Sequence, residues 1–502
     1  MKTIIKNGLL CDGTGSQPRK QDILVEGGRV AALGESGAFQ DNADLVIDAA
    51  GKLVTPGFID AHSHGDTRKL RFPENRSKLF QGVTTEVDGN CGSSASCVPN
   101  EIGDEIGEMR WRNLGEYAEV LKKVSPSTNT VVLCGHNSIR NAVMGKRNAK
   151  ATKDEIKAMQ RLMKEAFDSG AAGWSSGLTY FPGKFSDTQE LLELSSLTKG
   201  TEKIYATHMR SEGDLLIEAL HEAFDVIRAG SGKLEVSHMK TTFPRNFHKV
   251  DQLLQNIREA QQAGLDVHAD RYPYIYTSTR LGQVLPPPYN MDADFASKLR
   301  ASVDFQEEIV EALKHPDRDL KPTVLTLKMK TLDEIAQEKG IPVERACMLE
   351  LLENTEQNAA FLSLSPDNML KILSQPWVCA GSDGISMQLD DPERPGGHPR
   401  AVGTFPCFFR IVSEKCGIAE AVRRMTALPA QIFRIPQRGI LKPGFIADIA
   451  IFDSDSFSSR AGFRGENPMP IGMQCVMVGG KVAWDASQPD KVGRFGNFIP
   501  ID

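Results

Sequence analysis

The sequence lacks the features that mark membrane proteins and nucleic-acid-binding proteins. No apolar run approaches the roughly 18 residues that a membrane-spanning helix needs, and the first eight residues lack the apolar core of a signal peptide. The 59 basic and 65 acidic residues give a net charge of -6, without a basic cluster that would attract nucleic acid. We therefore expect a cytoplasmic protein that acts on a small molecule rather than on nucleic acid or a membrane.

Cysteine is scarce and scattered. The nine cysteines in 502 residues show no spacing typical of a disulfide framework. We expect reduced thiols throughout, including Cys91 and Cys97, which are close enough in sequence to pair. A content of 40% hydrophobic and 25% charged residues is typical of a globular enzyme. The length indicates one large domain with appendages rather than a single compact domain.

The two ends of the chain resemble each other in pattern. Short β-rich runs at residues 3–5, 23–25 and 45–47 are separated by glycine-containing turn signals, and residues 447–452 and 475–482 are also typical of strands. Neither end has enough strands for a core of its own. We therefore expect residues 1–55 and 431–502 to pack together as one small β-sandwich domain.

Strand-like and helix-like segments alternate between residues 56 and 430. After the apolar run that ends at Phe58 and Ile59, short apolar segments occur at residues 83–87, 130–133, 171–174, 204–207, 234–237, 265–269 and 377–380. Intervening segments are helical in pattern, and Thr152 and Glu155 have the spacing of a capping box. Eight parallel strands with right-handed crossovers close into a TIM-type (β/α)8 barrel. We expect an α/β fold with this barrel at residues 56–430.

One connection within the barrel region is too long for an ordinary loop. Residues 282–345 precede the last predicted strand, include Pro286, Pro287 and Pro288, and contain helical patterns. Loops in α/β units usually have about 2 to 6 residues. We therefore expect a small subdomain inserted before the last barrel strand.

Two histidines end the first predicted barrel strand. Side chains at positions i and i+2 leave a strand on the same face, so His62 and His64 should point together beyond its carboxyl end. Imidazole is the commonest metal ligand and suits zinc. The pair predicts one corner of a metal site, whereas the structural alternative is two hydrogen-bonded surface histidines.

Metal-ligand residues recur at other predicted strand ends. Cys91 follows the second strand, His208 the fifth, His238 the sixth and Asp383 the eighth. Barrel enzymes place their chemistry at the carboxyl ends of the strands, and these residue types are those that bind zinc. Four of only ten histidines fall at such positions, which makes coincidence a poor explanation.

Several motifs resemble those of the amidohydrolase superfamily. They include His62-Ser63-His64 and the run from Gly439 to Gly444 followed by Ala447-Asp448. Within that superfamily the chain resembles the N-acyl-D-amino-acid deacylases, on the motifs Gly89-Asn90-Cys91-Gly92, Thr207-His208-Met209-Arg210-Ser211-Glu212, Ser237-His238-Met239-Lys240, Tyr272-Pro273-Tyr274 and His398-Pro399-Arg400. Cys91 stands where related hydantoinases and dihydroorotases carry a modified bridging lysine, which favours the deacylase branch.

The resemblance implies a ligand set and a reaction. It implies a tightly bound Zn2+ on Cys91, His208 and His238, and a weaker second position shared by His62, His64, Cys91 and Asp383. Zinc lowers the pKa of bound water from about 15.7 toward about 7, so that hydroxide can attack an amide carbonyl. Asp383 would serve as general base and then as general acid toward the amine. The expected products are a carboxylate and a free D-amino acid, the handedness following from the resemblance alone.

Fixed cations and hydroxyls are needed to bind the α-carboxylate of such a substrate. The resemblance implies Arg400, Lys240, Tyr180 and Tyr272 in this role, with Tyr274 as an alternative to Tyr272 because it shares the strand face. The alternative, structural roles are surface salt bridges for Arg400 and Lys240 and core packing for the tyrosines. Arg280 near the barrel mouth suggests an acidic substrate, but an exposed loop arginine is the simpler interpretation. Cys407 stands where the family has a basic residue, which leaves the side-chain preference open.

Two other classes of function remain open at this stage. Cyclic-amide hydrolysis or deamination could occur on the same barrel, although the sequence lacks an evident bridging lysine and pairs Lys240 with Arg400, which suits a carboxylate. A non-catalytic scaffold is the third class, since fold does not imply function. The complete ligand set argues against that third class.

Overall fold

We analysed a computed structural model of the chain. The structure describes residues 1–40, 42–102, 108–145, 147–292, 294–314, 319–387, 397–464 and 469–502.

Eight parallel strands form the central sheet in chain order. They are β1 Phe58–Asp60, β2 Val83–Asp88, β3 Asn129–Gly135, β4 Gly173–Gly177, β5 Ile204–His208, β6 Lys233–Val236, β7 Asp266–Arg271 and β8 Val378–Ala380. Strands β1 and β8 meet through a hydrogen bond of 3.2 Å from Ala61 N to Ala380 O and a parallel bridge between Ser63 and Gly384. The sheet is therefore a nearly closed barrel, and the predicted barrel with its eight strand positions is confirmed.

The alternation of side chains along the strands separates two layers of core. On β3, Val132 and Cys134 pack into the hydrophobic cluster that includes the surrounding helices, whereas Val131 and Leu133 belong to the barrel interior. This is the period of two expected for a strand buried on both faces. The barrel therefore has a filled interior, and open space for chemistry is confined to its ends.

Helices follow the barrel strands and cover them. Their ranges are Arg68–Arg71, Arg76–Leu79, Leu114–Val124, His136–Met144, Lys153–Asp168, Thr188–Ser195, Leu216–Ala229, Val250–Gln262, Pro366–Leu373, Arg400–Cys416, Ile418–Met425 and Ala427–Ile432. The predicted capping box opens helix Lys153–Asp168, because Thr152 Oγ1 accepts from Glu155 N while Glu155 Oε2 accepts from Thr152 N. Among the described residues, no helix is both long and apolar enough to cross a membrane.

Segments from both ends of the chain share one sheet. It contains Leu9–Leu10, Arg19–Lys20, Leu53–Pro56, Ile449–Phe452, Met473–Val478 and Lys481–Asp485. Leu53–Pro56 pairs antiparallel with Ile449–Phe452, so that Thr55 lies opposite Ala450. A second sheet of Lys2–Lys6, Asp22–Glu26, Arg29–Gly34 and Leu45–Asp48 contributes to the same hydrophobic cluster. Leu53–Pro56 belongs to the first of these two sheets and leads directly into β1. The first sheet therefore orients the strand that His62 and His64 follow.

The connection between β7 and β8 has secondary structure of its own. Strands Tyr276–Arg280, Val324–Leu325, Lys330–Thr331 and Asn358–Leu362 form a small sheet, beside helices Phe295–Ala301, Val303–Ala312, Leu332–Lys339 and Val343–Glu353. The four helices, together with Leu325 and Ala359 of the sheet, contribute to a separate hydrophobic cluster. The antiparallel pairing of Tyr276–Arg280 with Asn358–Leu362 brackets the segment, which is wider at both ends than residues 282–345.

Candidate active site

Cys91 lies at the centre of the residues that converge at the carboxyl ends of the strands. Its Sγ lies 3.3 Å from His62 Nε2, 3.3 Å from His238 Nε2 and 3.8 Å from His208 Nδ1. The ligand atoms of Cys91, His208 and His238 all lie within 4.8 Å of one another. A thiol and two imidazoles in one buried cluster form a donor set that suits zinc.

A second group of possible ligands shares the same sulfur. It consists of His62, His64, Cys91 and Asp383, again with ligand atoms within 4.8 Å of one another. Asp383 Oδ1 lies 3.0 Å from His64 Nε2 and 3.6 Å from His62 Nε2. All six residues that strand-end position predicted are therefore brought together, in two groups that have Cys91 in common.

Three of these residues have left-handed backbone conformations. The φ angles are +51° for Cys91, +37° for His238 and +48° for Asp383. Such angles are uncommon outside glycine, cost of order 1 to 3 kcal/mol each and cluster at functional sites. At Asp383, a hydrogen bond of 2.8 Å from its backbone N to His62 O holds the turn. The chain thus turns sharply at three strand ends, which aims the side chains at one point.

The Cys91 thiol is in a setting that favours its thiolate. Burial opposes ionisation, but the neighbouring imidazoles of His62 and His238 outweigh it and hold the pKa of Cys91 well below its usual range. The thiolate is the form of cysteine that binds metals. An inert buried thiol would not need imidazoles around its sulfur, whereas a metal ligand shares its ion with them.

Asp383 is ionised for a similar reason. Burial raises its pKa, but the Arg400 guanidinium and the neighbouring histidines outweigh this effect and hold the pKa well below its usual range. Arg400 Nη1 lies 2.7 Å from Asp383 Oδ2, on the side away from the Oδ1 that faces His64. The carboxylate is therefore held in a fixed orientation with one oxygen toward the imidazoles.

Two carboxylates that the sequence analysis gave no role lie behind the histidines. Asp270 Oδ2 is 2.8 Å from His62 Nδ1. Glu212 Oε1 is 3.1 Å from His238 Nδ1, and its Oε2 is 3.6 Å from His208 Nε2. Glu212 ends the motif that begins at Thr207 and lies four residues after His208, whereas the sequence signal for Asp270 is its position two residues before Tyr272.

The four residues predicted to bind a carboxylate surround this cluster. Lys240 and Arg400 are only 4% and 8% exposed, which excludes a role as surface salt-bridge partners. Lys240 Nζ lies 2.5 Å from Glu212 Oε1 and 2.6 Å from His238 Nδ1, and the Tyr180 ring lies 4.9 Å from that of His208.

The two tyrosines of the Tyr272-Pro273-Tyr274 motif have different surroundings. Arg400 lies over the Tyr272 ring at 4.8 Å, and the buried Tyr272 hydroxyl has no hydrogen-bond partner in the described part of the chain. The Tyr274 hydroxyl is 3.6 Å from Cys407 Sγ. Tyr272 is thus the one with a free hydroxyl beside the site.

Arg280 does not join the site. Its guanidinium forms an ion pair with Glu356, and both side chains are 62% exposed. The expected exposure of Arg280 is therefore observed, although the residue ends strand Tyr276–Arg280 instead of lying in a loop. Arg280 is not a buried cation that could select an acidic substrate.

Comparisons with known proteins agree with this geometry. The sequence model of the Amidohydrolase family matches residues 45–208. A D-aminoacylase of Alcaligenes xylosoxydans xylosoxydans is 32% identical over 491 residues, which cover 96% of this chain and 94% of the relative. An N-acyl-D-glutamate deacylase of the same organism is 30% identical over 498 residues, covering 97% and 94%.

A solved structure extends the match to the whole architecture. The N-acyl-D-glutamate deacylase of Bordetella bronchiseptica, complexed with zinc and a phosphonate inhibitor, superposes with a TM-score of 0.83 at 30% identity and covers 99% of each chain. The chain belongs to the amidohydrolase family and, within it, to the N-acyl-D-amino-acid deacylases, whose members include the D-aminoacylases.

We expect Cys91→Ser to lose zinc, because the substitution removes the sulfur common to both groups. Zinc content after dialysis against buffer without metal should fall from at least one ion per chain to a small fraction of one. The matched control is Cys97→Ser, since Cys97 is also buried but its Sγ faces Leu133 O, and this variant should retain its zinc. Full zinc content in Cys91→Ser would contradict the site.

Proposed function

We propose that this protein is a zinc-dependent N-acyl-D-amino-acid deacylase, which hydrolyses a linear amide to a carboxylate and a free D-amino acid. The single observation that carries this proposal is the Cys91 sulfur in contact with imidazoles from three strand ends. The full-length relatives named D-aminoacylase and N-acyl-D-glutamate deacylase support the substrate class and its handedness. The substrate is a small molecule, as the composition also predicts.

The donor set supports two zinc positions that differ in their affinity for the ion. Cys91, His208 and His238 would hold a tightly bound ion, and His62, His64, Cys91 and Asp383 would form a weaker second position. Bound zinc would polarise the amide carbonyl and lower the pKa of a water molecule beside it. Three protein ligands in the first group leave room for that water, as in other catalytic zinc sites.

Asp383 is the residue that we assign to proton transfer. Its carboxylate is ionised and can accept a proton from the attacking water, then deliver one to the departing amine nitrogen. Arg400 holds Oδ2 and His64 lies beside Oδ1, so the side chain cannot turn away from the reaction. An amide nitrogen leaves only when protonated, which makes this second transfer essential.

Four side chains form the proposed cradle for the substrate's α-carboxylate. Arg400 offers a planar fork and Lys240 a compact cation, while Tyr272 and Tyr180 offer hydroxyls beside the candidate ligands. The unpartnered Tyr272 hydroxyl supports this assignment, because a buried hydroxyl without a hydrogen bond is costly until a ligand supplies one. Since Arg280 is paired with Glu356 at the surface, we propose that substrate side chains are uncharged.

The chain organisation supports this function. We propose a catalytic barrel at residues 56–430 with an inserted subdomain around 282–345, and a β-sandwich domain made from residues 1–55 and 431–502. The pairing of Leu53–Pro56 with Ile449–Phe452 and the separate cluster of the insertion support these divisions. No disulfide joins the nine cysteines, all of which lie in the described part of the chain, and this supports the expected cytoplasmic location.

The zinc-loaded protein should release free amino acid from N-acetyl-D-methionine and N-acetyl-D-leucine but not from their L enantiomers. The D-glutamate substrate should be poorer, and Arg280→Ala should leave its kcat/KM within about twofold of the wild type, because an exposed ion pair contributes little. A colorimetric assay of free amine over matched D and L panels measures both. Release from the L panel alone would refute the proposed handedness, and a selective loss with D-glutamate in Arg280→Ala would refute the assignment of Arg280.

Asp383→Asn should lower kcat by about 100-fold or more, because a positioned acid-base group contributes about 10²- to 10⁴-fold. Zinc on the Cys91, His208 and His238 group should remain, which metal analysis checks. Asp266→Asn is the control, since Asp266 begins β7 at the opposite end of the barrel and pairs with Lys233. An active Asp383→Asn enzyme would refute the proton-transfer role.

Tyr272→Phe should raise KM by about 2- to 10-fold with little change in kcat, because it removes one hydrogen bond of about 0.5 to 1.5 kcal/mol to the bound carboxylate. Tyr274→Phe is the matched control and should leave KM unchanged. Steady-state kinetics with an N-acetyl-D-amino acid measures both variants. A rise in KM for Tyr274→Phe without one for Tyr272→Phe would assign the carboxylate contact to Tyr274 instead.

A further inference from the structure

Three imidazoles of the candidate metal centre have a carboxylate on the side away from Cys91: Asp270 behind His62, and Glu212 behind both His208 and His238. His62 directs Nε2 toward Cys91 and Nδ1 toward Asp270 Oδ2, at 2.8 Å. His238 directs Nε2 toward Cys91, and its Nδ1 lies 3.1 Å from Glu212 Oε1 and 2.6 Å from Lys240 Nζ. Because an ammonium group can only donate, Glu212 is the neighbour that can accept from Nδ1 when Nε2 is the nitrogen that binds the metal. When the ring nitrogen that points away from the metal site donates its hydrogen to a carboxylate, the other ring nitrogen is unprotonated. The lone pair of that second nitrogen then faces the metal site.

The two carboxylates are divided between the two ligand groups. Among the candidate ligands, Glu212 contacts His208 and His238, which belong to the group proposed to bind zinc tightly. Asp270 contacts His62, which belongs to the group proposed for the weaker ion, and it also lies beside the buried carboxyl of Glu235.

We propose that Glu212 and Asp270 are positioning residues that set the two zinc affinities separately. Glu212 orients the ligands of the tight position, and Asp270 orients those of the weaker one. This inference rests on the ligand set given under Proposed function and adds the residues that control it.

Glu212 is placed to act on two ligands at once. It lies in the loop after β5, with Oε1 toward His238 and Oε2 toward His208, which also contacts Thr179 Oγ1 at 3.1 Å. Lys240 Nζ lies 2.5 Å from Oε1 and supplies the opposite charge that keeps this nearly buried carboxylate in place. Glutamine would keep the shape but replace one acceptor oxygen with a donor, so it could accept from only one of these partners.

Asp270 is held by its surroundings as firmly as Glu212 is. It lies on β7 and is fully buried. A Cβ at Gly381 would come within 2.3 Å of Asp270 Oδ1, so glycine at this position lets the backbone after β8 pack directly against the carboxylate. The Asp270 carboxylate therefore lies between this backbone and the ring of His62, which it contacts at 2.8 Å.

Loss of an orienting carboxylate typically weakens metal binding by about 10- to 100-fold. We therefore expect Glu212→Gln to weaken the tighter zinc site of the metal-free protein by that factor and to leave the weaker site within about threefold. Asp270→Asn should do the reverse. Zinc titration of the metal-free full-length protein against a chromophoric chelator measures both dissociation constants without reference to catalysis.

Glu222→Gln is the matched control. Glu222 is also a largely buried carboxylate of this region, but it pairs with Arg210 at 2.9 and 3.0 Å and does not face the ligands. It should leave both zinc affinities unchanged. If Glu212→Gln does not fold, Glu212→Asp keeps the charge beside Lys240 but is too short to reach both histidines, and it should weaken the tighter site in the same direction.

The outcomes separate the inference from the proposed function. Failure of the wild-type protein to bind any zinc would refute the proposed ligand set. Zinc binding by the wild type with equal losses at both sites in each variant, or with no loss in either, would refute the inference alone. Uptake of a single ion by the wild type would overturn the assignment of Asp270.

Discussion

The buried thiolate of Cys91 is the group around which the rest of the site is arranged. A charged sulfur that is only 7% exposed needs close partners, and three imidazole nitrogens within 3.3 to 3.8 Å provide them. Those imidazoles lie at the carboxyl ends of β1, β5 and β6, and β1 is distant from the other two strands along the chain. Because they can meet only if the sheet curves back on itself, the chemistry of one sulfur depends on the near closure of the barrel.

Glycines allow the strand ends to approach this sulfur closely. A Cβ at Gly89 would lie 2.1 Å from Leu133 O, and a Cβ at Gly177 would lie 2.1 Å from Cys91 O. Any other residue at either position would push β2 away from β3 or β4. The motif around Cys91 is therefore a packing requirement as well as a chemical one, since side chains near the metal site must come from backbones that almost touch.

The barrel strands and the candidate metal ligands could be predicted because each has a recognisable pattern over a few consecutive residues. Strand positions follow from short apolar runs, and the candidate ligands follow from histidine, cysteine and aspartate at the ends of those runs. Glu212 and Asp270 have no such pattern, because carboxylates are common and an orienting role depends on contacts across the barrel. The polar strand Tyr276–Arg280 shows no apolar alternation, and its pairing with Asn358–Leu362 is a long-range contact. The sequence therefore carries no signal for these two strands, which lie outside the predicted bounds 282–345 of the insertion.

The sheet shared by both ends of the chain has a consequence for the order of folding. Thr55 pairs with Ala450, which lies 395 residues later in the chain. At a synthesis rate of about 5 to 20 residues per second, the partner strand emerges about 20 to 80 s after the first. During that interval the edge of Leu53–Pro56 is unpaired and open to other chains. Protection of this edge by a chaperone, or by early folding of residues 1–48, would decide how much nascent protein escapes aggregation.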